Sequence, residues 1–246
     1  MQISEHHVQT LRHIEGQPLP RVTFGAALFT SSSISETPAL ETTPKRTQFT
    51  GLHLDISSIL PEWKDPKILT GFDEKNEAQF RPAKRFITLR QLLTHSSGLA
   101  YPFMHPLCAK YNEIKKAPLI QQTVRAAFPA FLLFEPGKQW LYGPGLEWAG
   151  LMVEAVNGGM KLGEYMQKHI FDPLSITDFW TRVGPELQET EGFWPDPVED
   201  DIGGGGIYTT VTELLRLYQG FLQRKLLGPE TMAEFEKSVY AAISKS

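Results

Sequence analysis

The side chains equipped for chemistry gather in three stretches: Thr94-His95-Ser96-Ser97-Gly98, Trp140-Leu141-Tyr142-Gly143, and the glycines Gly203 to Gly206. Tyr142 carries a phenol. With an ordinary pKa of about 10, a phenol takes a proton near neutrality only where adjacent cations favour its anion. The same residue also reads as a half-buried aromatic, hydrogen-bonded through its hydroxyl and flanked by Trp140 and Trp148. His95, Ser96 and Ser97 are the residue types of a hydrolytic dyad, but Ser, Gly and a capping His suit a turn after a helix, and the turn is the reading adopted here. Gly203 to Gly206 permit a sharp turn or a close backbone approach to another group.

Several other chemistries are not supported by the spacing. The seven histidines never stand one helical turn apart around a glutamate, so a metal site has no motif. Neither Gly143-Pro144-Gly145 nor the later glycine run continues into the Lys-Ser or Lys-Thr of a phosphate loop, and neither completes a dinucleotide fingerprint. A G-x-S-x-G elbow is missing because Ser96 and Ser97 lack an upstream glycine. Cys108 is the single cysteine and reads as a small buried side chain rather than a nucleophile.

The elements that must position these residues follow from periodicity. Apolar positions between Phe86 and Thr94, behind a threonine cap, predict a short helix ending near His95. A second helix begins after Gly145, with Leu146, Ala149, Met152, Val153 and Val156 on one side, and stops at Asn157-Gly158-Gly159. A third spans Leu162 to Ile170 and is closed by Pro173. Thr210 and Glu213 have capping-box spacing ahead of a stripe from Leu214 to Leu222, and a last helix runs from Pro229 through Tyr240. Glu191 to Asp201, rich in acids and prolines, reads as an exposed loop. Thr30 to Thr50 is rich in Ser, Thr and Pro, so residues 1–50 are expected to be irregular and 51–246 to form one domain.

Of the 246 residues 41% are hydrophobic and 21% charged, which describes a folding chain rather than a disordered one. A net charge of -4 gives no positive field for nucleic acid. The longest apolar windows fall short of the roughly 20 residues that cross a bilayer. The polar start from Met1 to His7 shows no secretory signal, and the cytoplasm is the expected compartment.

Read in order, Ile87 to Leu99, Glu135 to Gly150 and Gly203 to Thr210 resemble the serine beta-lactamase and penicillin-binding-protein superfamily. The likeness lies in the class C lactamase and esterase branch, nearest to fungal acyltransferases (transesterases) that move an acyl group onto a polyketide alcohol. Trp140-x-Tyr142-Gly143 and Glu147-Trp148-Ala149-Gly150 are its most specific parts, and it extends from about Gly51 to the end. The resemblance implies an α+β, beta-lactamase/transpeptidase-like fold. For this chain the resemblance implies a dominant helical subdomain with the antiparallel sheet part truncated. It also implies that Tyr142 is the catalytic base, that Arg125 contacts substrate, and that Gly204 and Gly205 line the substrate site. It calls for no metal and no organic cofactor.

In that superfamily a Ser-x-x-Lys pair supplies nucleophile and proton relay, because a serine hydroxyl attacks poorly until a neighbour takes its proton. No serine here has a lysine three residues on; Thr42 and Lys45 have the spacing, with Pro44 between them. The late Lys-Thr-Gly-type motif also has no counterpart. The expected function is therefore a beta-lactamase-family serine acyltransferase or hydrolase, acting on a small secondary-metabolite ester or thioester and catalytically impaired in this chain. An acyl carrier protein is a conceivable donor. The alternatives are a non-catalytic remnant that binds a ligand or partner, or a mis-spliced gene product.

Overall fold

A computed structural model describes residues 52–116, 122–180, 199–205, 207–229 and Met232. The sequence readings on residues 1–50, on Thr42 and Lys45, on Gly206, and on all of the last helix except Pro229 and Met232 lie outside the described residues.

The described chain is α+β, with two small antiparallel sheets set among helices. The first sheet pairs β1 (Lys67–Phe72) with β2 (Ala78–Pro82), with a register shift between Leu69 and Gly71 that leaves Thr70 as the extra residue of a bulge. Asp73 closes the hairpin by accepting the backbone N–H groups of Lys75 and Glu77. Sequence periodicity did not reveal this hairpin, although its turn is built by a polar run, Asp73-Glu74-Lys75-Asn76-Glu77, of the usual kind. Leu132 extends the sheet through a parallel bridge to Ile68. The second sheet pairs only β3 (Phe179–Trp180) with β4 (Tyr208–Thr209).

Helix α1 (Leu89–Leu93) starts at Thr88, whose side chain accepts from Gln91 N while Gln91 reaches back to the Thr88 N–H. This reciprocal box explains how a helix of five residues holds its place. Helices α2 (Pro106–Lys115) and α3 (Val124–Ala127) follow, capped by His105 and Thr123. Helix α4 (Gly145–Val156) has the expected bounds but turns a different face inward. Glu147, Trp148, Leu151 and Met152 are buried, whereas Leu146 is 37% exposed. The reason is the tryptophan. Trp148 meets Trp63 edge to face, with centroids 5.0 Å apart, at the centre of the main core, and that contact sets the rotation of the helix.

After α5 (Leu162–Met166) the chain widens into a π turn over Gln167–Phe171 and tightens again over Asp172–Leu174, so the third predicted helix is broken in its second half. Asp200 and Asp201, read from sequence as part of an exposed loop, are buried. Their carboxylates accept the Val124 and Gly163 N–H groups at 3.0 and 2.7 Å, and Asp200 pairs with Lys161 at 2.9 Å. They satisfy donors at two helix starts that would otherwise be orphaned. The last described helix, α6 (Val211–Leu222), is capped by Thr210. The capping box is one-sided: Glu213 turns its carboxylate to Arg216 at 2.6 Å instead of back to the cap.

Candidate active site

The chemistry-bearing residues converge because the turn after α1 is sewn to the loop before α4. His95 and Gly98 both take positive φ, 53° and 99°, which bends the chain sharply at Ser96-Ser97. Leu133 N–H donates to Gly98 O, Gly137 N–H to Ser96 O and Leu141 N–H to His95 O, at 2.8, 2.8 and 2.9 Å. The His95 ring adds a weaker tie, its Nδ1 accepting from Gly143 N–H at 3.4 Å. Helices α1 and α4 then meet almost backbone to backbone. A Cβ on Gly145 would lie 2.2 Å from Leu92 O, so no other residue fits there without displacement. Ser97 is buried, and its hydroxyl accepts the Leu99 N–H. The His95-Ser96-Ser97 stretch is thus turn chemistry, as expected.

Tyr142 emerges from this seam 40% exposed. Its ring lies 4.7 Å from His95 and 5.2 Å from Tyr101, and Trp140 stands beyond His95 at 6.2 Å. Phe103 stacks on the other side of Tyr101. The result is a continuous ribbon of rings, with Trp140, Tyr142 and Phe103 presented outward and Tyr101 buried beneath them. Among the described residues no lysine or arginine lies over the Tyr142 ring or hydrogen-bonds its hydroxyl.

Under the ribbon, Tyr101 donates its O–H to Glu147 Oε1 at 2.5 Å. Burial pushes the Glu147 carboxyl above the usual carboxylate range, opposed in part by that hydrogen bond. Burial, then the charge and hydrogen bond of Glu147, and after them those of the Tyr142 phenol, drive Tyr101 far above the phenol range, so it is neutral. Gly204 packs against the same carboxylate, and Gly205 is exposed beside it in sequence.

Of the residues singled out from sequence, Tyr142 and Gly204 therefore flank one buried pair, Tyr101 and Glu147. Arg125 lies on α3 and donates from Nε to Glu62 Oε1 at 2.7 Å, an ion pair outside the ring cluster. Sequence reading missed Tyr101 and the role of Glu147. The available signal was an acid inside the apolar α4 face, next to Trp148. Among the described residues no group of three or more His, Cys, Asp or Glu side chains gathers as a metal site. No helix among them is long and apolar enough to cross a membrane.

The helices with their two small sheets form a beta-lactamase/transpeptidase-like α+β fold whose sheet is small here. The chain belongs to the beta-lactamase family, whose profile matches residues 55–243. It is 48% identical over 130 residues to the lovastatin esterase of Penicillium rubens, covering 50% of this chain and 31% of that protein. It is 36% identical over 218 residues to the ML-236A carboxylate methylbutanoyltransferase of Penicillium citrinum, covering 75% and 51%. A solved mutant of the simvastatin synthase of Aspergillus terreus superposes with a TM-score of 0.62 at 31% identity, over 74% of this chain and 48% of that one. The chain thus spans about half the length, or less, of the curated relatives it matches.

Proposed function

We propose that this chain supplies the helical wall of a serine acyltransferase or esterase acting on a small secondary-metabolite ester or thioester, with Tyr142 as the proton-accepting side chain. The observation that carries this reading is the placement of Tyr142. It is a half-exposed phenol, held by the His95 to Leu141 seam at the mouth of an aromatic ribbon. The ribbon suits an apolar acyl group or polycyclic alcohol, because ring faces bury large area without needing hydrogen bonds. The acyltransferase and esterase relatives point to the same substrate class. Gly204 and Gly205 are proposed to line the substrate, where a bare backbone allows close approach. Arg125 is proposed to meet an anionic substrate group, in exchange for Glu62. The acyl group would arrive on a small thioester or on an acyl carrier protein.

The 246 residues contain no Ser-x-x-Lys, so the chain alone is proposed not to form an acyl-enzyme. The test is fluorophosphonate labelling followed by mass mapping. The purified chain is expected to remain unlabelled, and a stoichiometric adduct on any of its serines would overturn the impairment. Transcript sequencing across neighbouring genomic frames is expected to recover a Ser-x-x-Lys segment. Joined to that segment, the chain should take the label and turn over an ester, and Tyr142→Phe should lower that turnover by about 10²-fold or more. Full turnover by the Tyr142→Phe protein would remove the tyrosine from the mechanism.

A further inference from the structure

Glu147 is wholly buried on α4, and its Oε2 has no hydrogen-bond partner among the described residues. Its Oε1 accepts the O–H of Tyr101, 46 residues earlier in sequence, at 2.5 Å. Gly204 closes the remaining side, where a Cβ would stand 2.6 Å from Oε1 and 3.0 Å from Oε2. A carboxyl with one side-chain donor on its two oxygens gains little from ionisation, and burial raises it above the usual carboxylate range. It is a stronger base than an exposed glutamate, and its partner leads outward. The Tyr101 hydroxyl also hydrogen-bonds the Tyr142 hydroxyl, and the two rings lie 5.2 Å apart, tilted by 53°. A phenol has one proton to give. With that of Tyr101 directed to Glu147, the Tyr101 oxygen is left to accept the Tyr142 O–H. Two hydroxyls and a carboxyl thus run in single file from a phenol that is 40% exposed to an acid with no exposure at all.

We propose that Tyr142, Tyr101 and Glu147 form a proton relay, with Glu147 the terminal acceptor when a proton is taken up at Tyr142. This rests on the reading of Tyr142 as the proton-accepting side chain, and it lets a neutral phenol fill that role without a neighbouring ammonium. When a hydroxyl at the site attacks an acyl carbon, its O–H breaks and the proton joins the Tyr142 oxygen. The Tyr142 proton passes to the Tyr101 oxygen, and the Tyr101 proton to Glu147 Oε1. One negative charge moves from the carboxylate to the attacking oxygen, and no phenolate accumulates. The reverse shift returns a proton to the departing alcohol or thiol. A buried chain suits this, since each hydrogen bond polarises the next. Tyr101 and Glu147 act through Tyr142 and are positioning residues. The titratable groups facing the relay are its own three members and His95, from the turn after α1, whose Nδ1 accepts the Gly143 N–H. The segment packed on Glu147 brings bare glycine, and the acids before it, Asp200 and Asp201, are engaged with Lys161 and the Gly163 N–H.

The test uses the whole 246-residue chain, without substrate, carrying ¹³C at tyrosine Cζ and glutamate Cδ. Tyr142→Phe and Glu147→Gln assign the two end signals. Protonated Glu147 becomes a donor to the Tyr101 oxygen, which turns the Tyr101 O–H outward to Tyr142 and reverses the chain. As pH falls, the Tyr142 signal should therefore step at the midpoint of the Glu147 carbon, above 4.5. That step should vanish in Glu147→Gln, and whatever survives there belongs to the adjacent His95 ring. In Tyr101→Phe most of the step should also be lost, although the Glu147 carbon still titrates. A bare field effect of the carboxylate would persist in that variant, because it removes a hydroxyl and leaves the charge.

A Tyr142 step of unchanged size in Tyr101→Phe would overturn the relay. So would a Glu147 carbon that titrates with no step at Tyr142, or one that stays ionised down to the point of acid unfolding. If circular dichroism shows that Tyr101→Phe does not fold, Glu147→Asp decides. It keeps a titrating carboxyl but draws it back from Tyr101, so a lost Tyr142 step supports the relay and a retained one sinks it. Turnover is not read here. Full turnover by Tyr142→Phe would remove the proton-accepting role and leave the hydrogen-bonded chain standing, whereas failure of the titration would remove the relay and leave that role intact.

Discussion

The seam between the turn after α1 and the loop before α4 is fastened backbone to backbone, whereas α6 is held by side chains and a single cap. At the seam, main-chain hydrogen bonds run from Leu133, Gly137 and Leu141 to the turn, and Gly145 touches the Leu92 carbonyl. Along α6 only Glu213 and Gly220 are buried among the described residues, while Tyr218 and Leu222 are 55% and 67% exposed. Leu217 contributes to a small satellite cluster around Phe171 and Phe179. Backbone contacts leave no soft atoms to absorb a change, so they fix position closely. Side-chain contacts yield. The molecule spends its rigid construction where Tyr142 has to be aimed and its adaptable construction elsewhere.

The contrast is broken most directly by adding one methyl group to each region. Gly145→Ala should cost about 3 kcal/mol or more in urea unfolding, because the new Cβ meets a carbonyl that cannot move without separating α1 from α4. Gly220→Ala also brings its Cβ to 2.6 Å of a neighbour, but that neighbour is the flexible end of Leu174. The helix propensity gained, about 1 kcal/mol, should nearly offset the adjustment. Equal losses in the two variants would erase the distinction between the regions.

Removing each cap sharpens the comparison at a smaller scale. Thr88→Ala breaks both halves of a reciprocal box and should cost about 1 kcal/mol or somewhat more. Thr210→Ala loses one hydrogen bond of 3.3 Å and should cost about 0.5 kcal/mol. Chemical denaturation of the two proteins side by side measures the difference.

The smallest effects come from two carboxyls of the seam with opposite pH behaviour. The folded pKa of Glu147 is raised by burial, so its contribution is complete below the ordinary value of 4.5 and is lost as pH rises through the folded value. The folded pKa of Glu135 is lowered, first by the Arg81 hydrogen bond and then by the Lys84 N–H, so its contribution is present above 4.5 and lost as pH falls through the folded value. Denaturation midpoints followed upward from pH 4.5 should therefore increasingly favour Glu147→Gln over the original chain. Those of Glu135→Gln should increasingly disfavour the variant over the interval that ends near 4.5. Parallel curves for the two would contradict the assignment.

These contrasts also mark where sequence reading succeeds. Caps and stops are local: Thr88, Thr210 and Asn157-Gly158-Gly159 act within a few residues, and each was readable from spacing. The inward face of α4 was not, because Trp63 lies 85 residues from Trp148 and its contact, rather than the count of apolar positions, turns the helix. The candidate site divides the same way. Tyr142 stood out through its flanking motif, whereas Tyr101 and Glu147 find each other only in the folded chain. Arg125 meets Glu62 across 63 residues, a pairing no local pattern encodes. Asp200 and Asp201 looked like surface acids because their partners are backbone donors, which no side-chain pattern announces.

The lone thiol has a practical bearing. Cys108 is 4% exposed, and burial pushes it up to about 12, so alkylating reagents used near neutrality meet almost no thiolate. A cysteine placed by Trp140→Cys on the ribbon, or by Leu222→Cys on α6, would become the sole attachment point for a dye or spin label. The native thiol would not first have to be removed from the core. Tag dynamics at those two places would then report, in nanoseconds, how tightly each half of the architecture grips its surface.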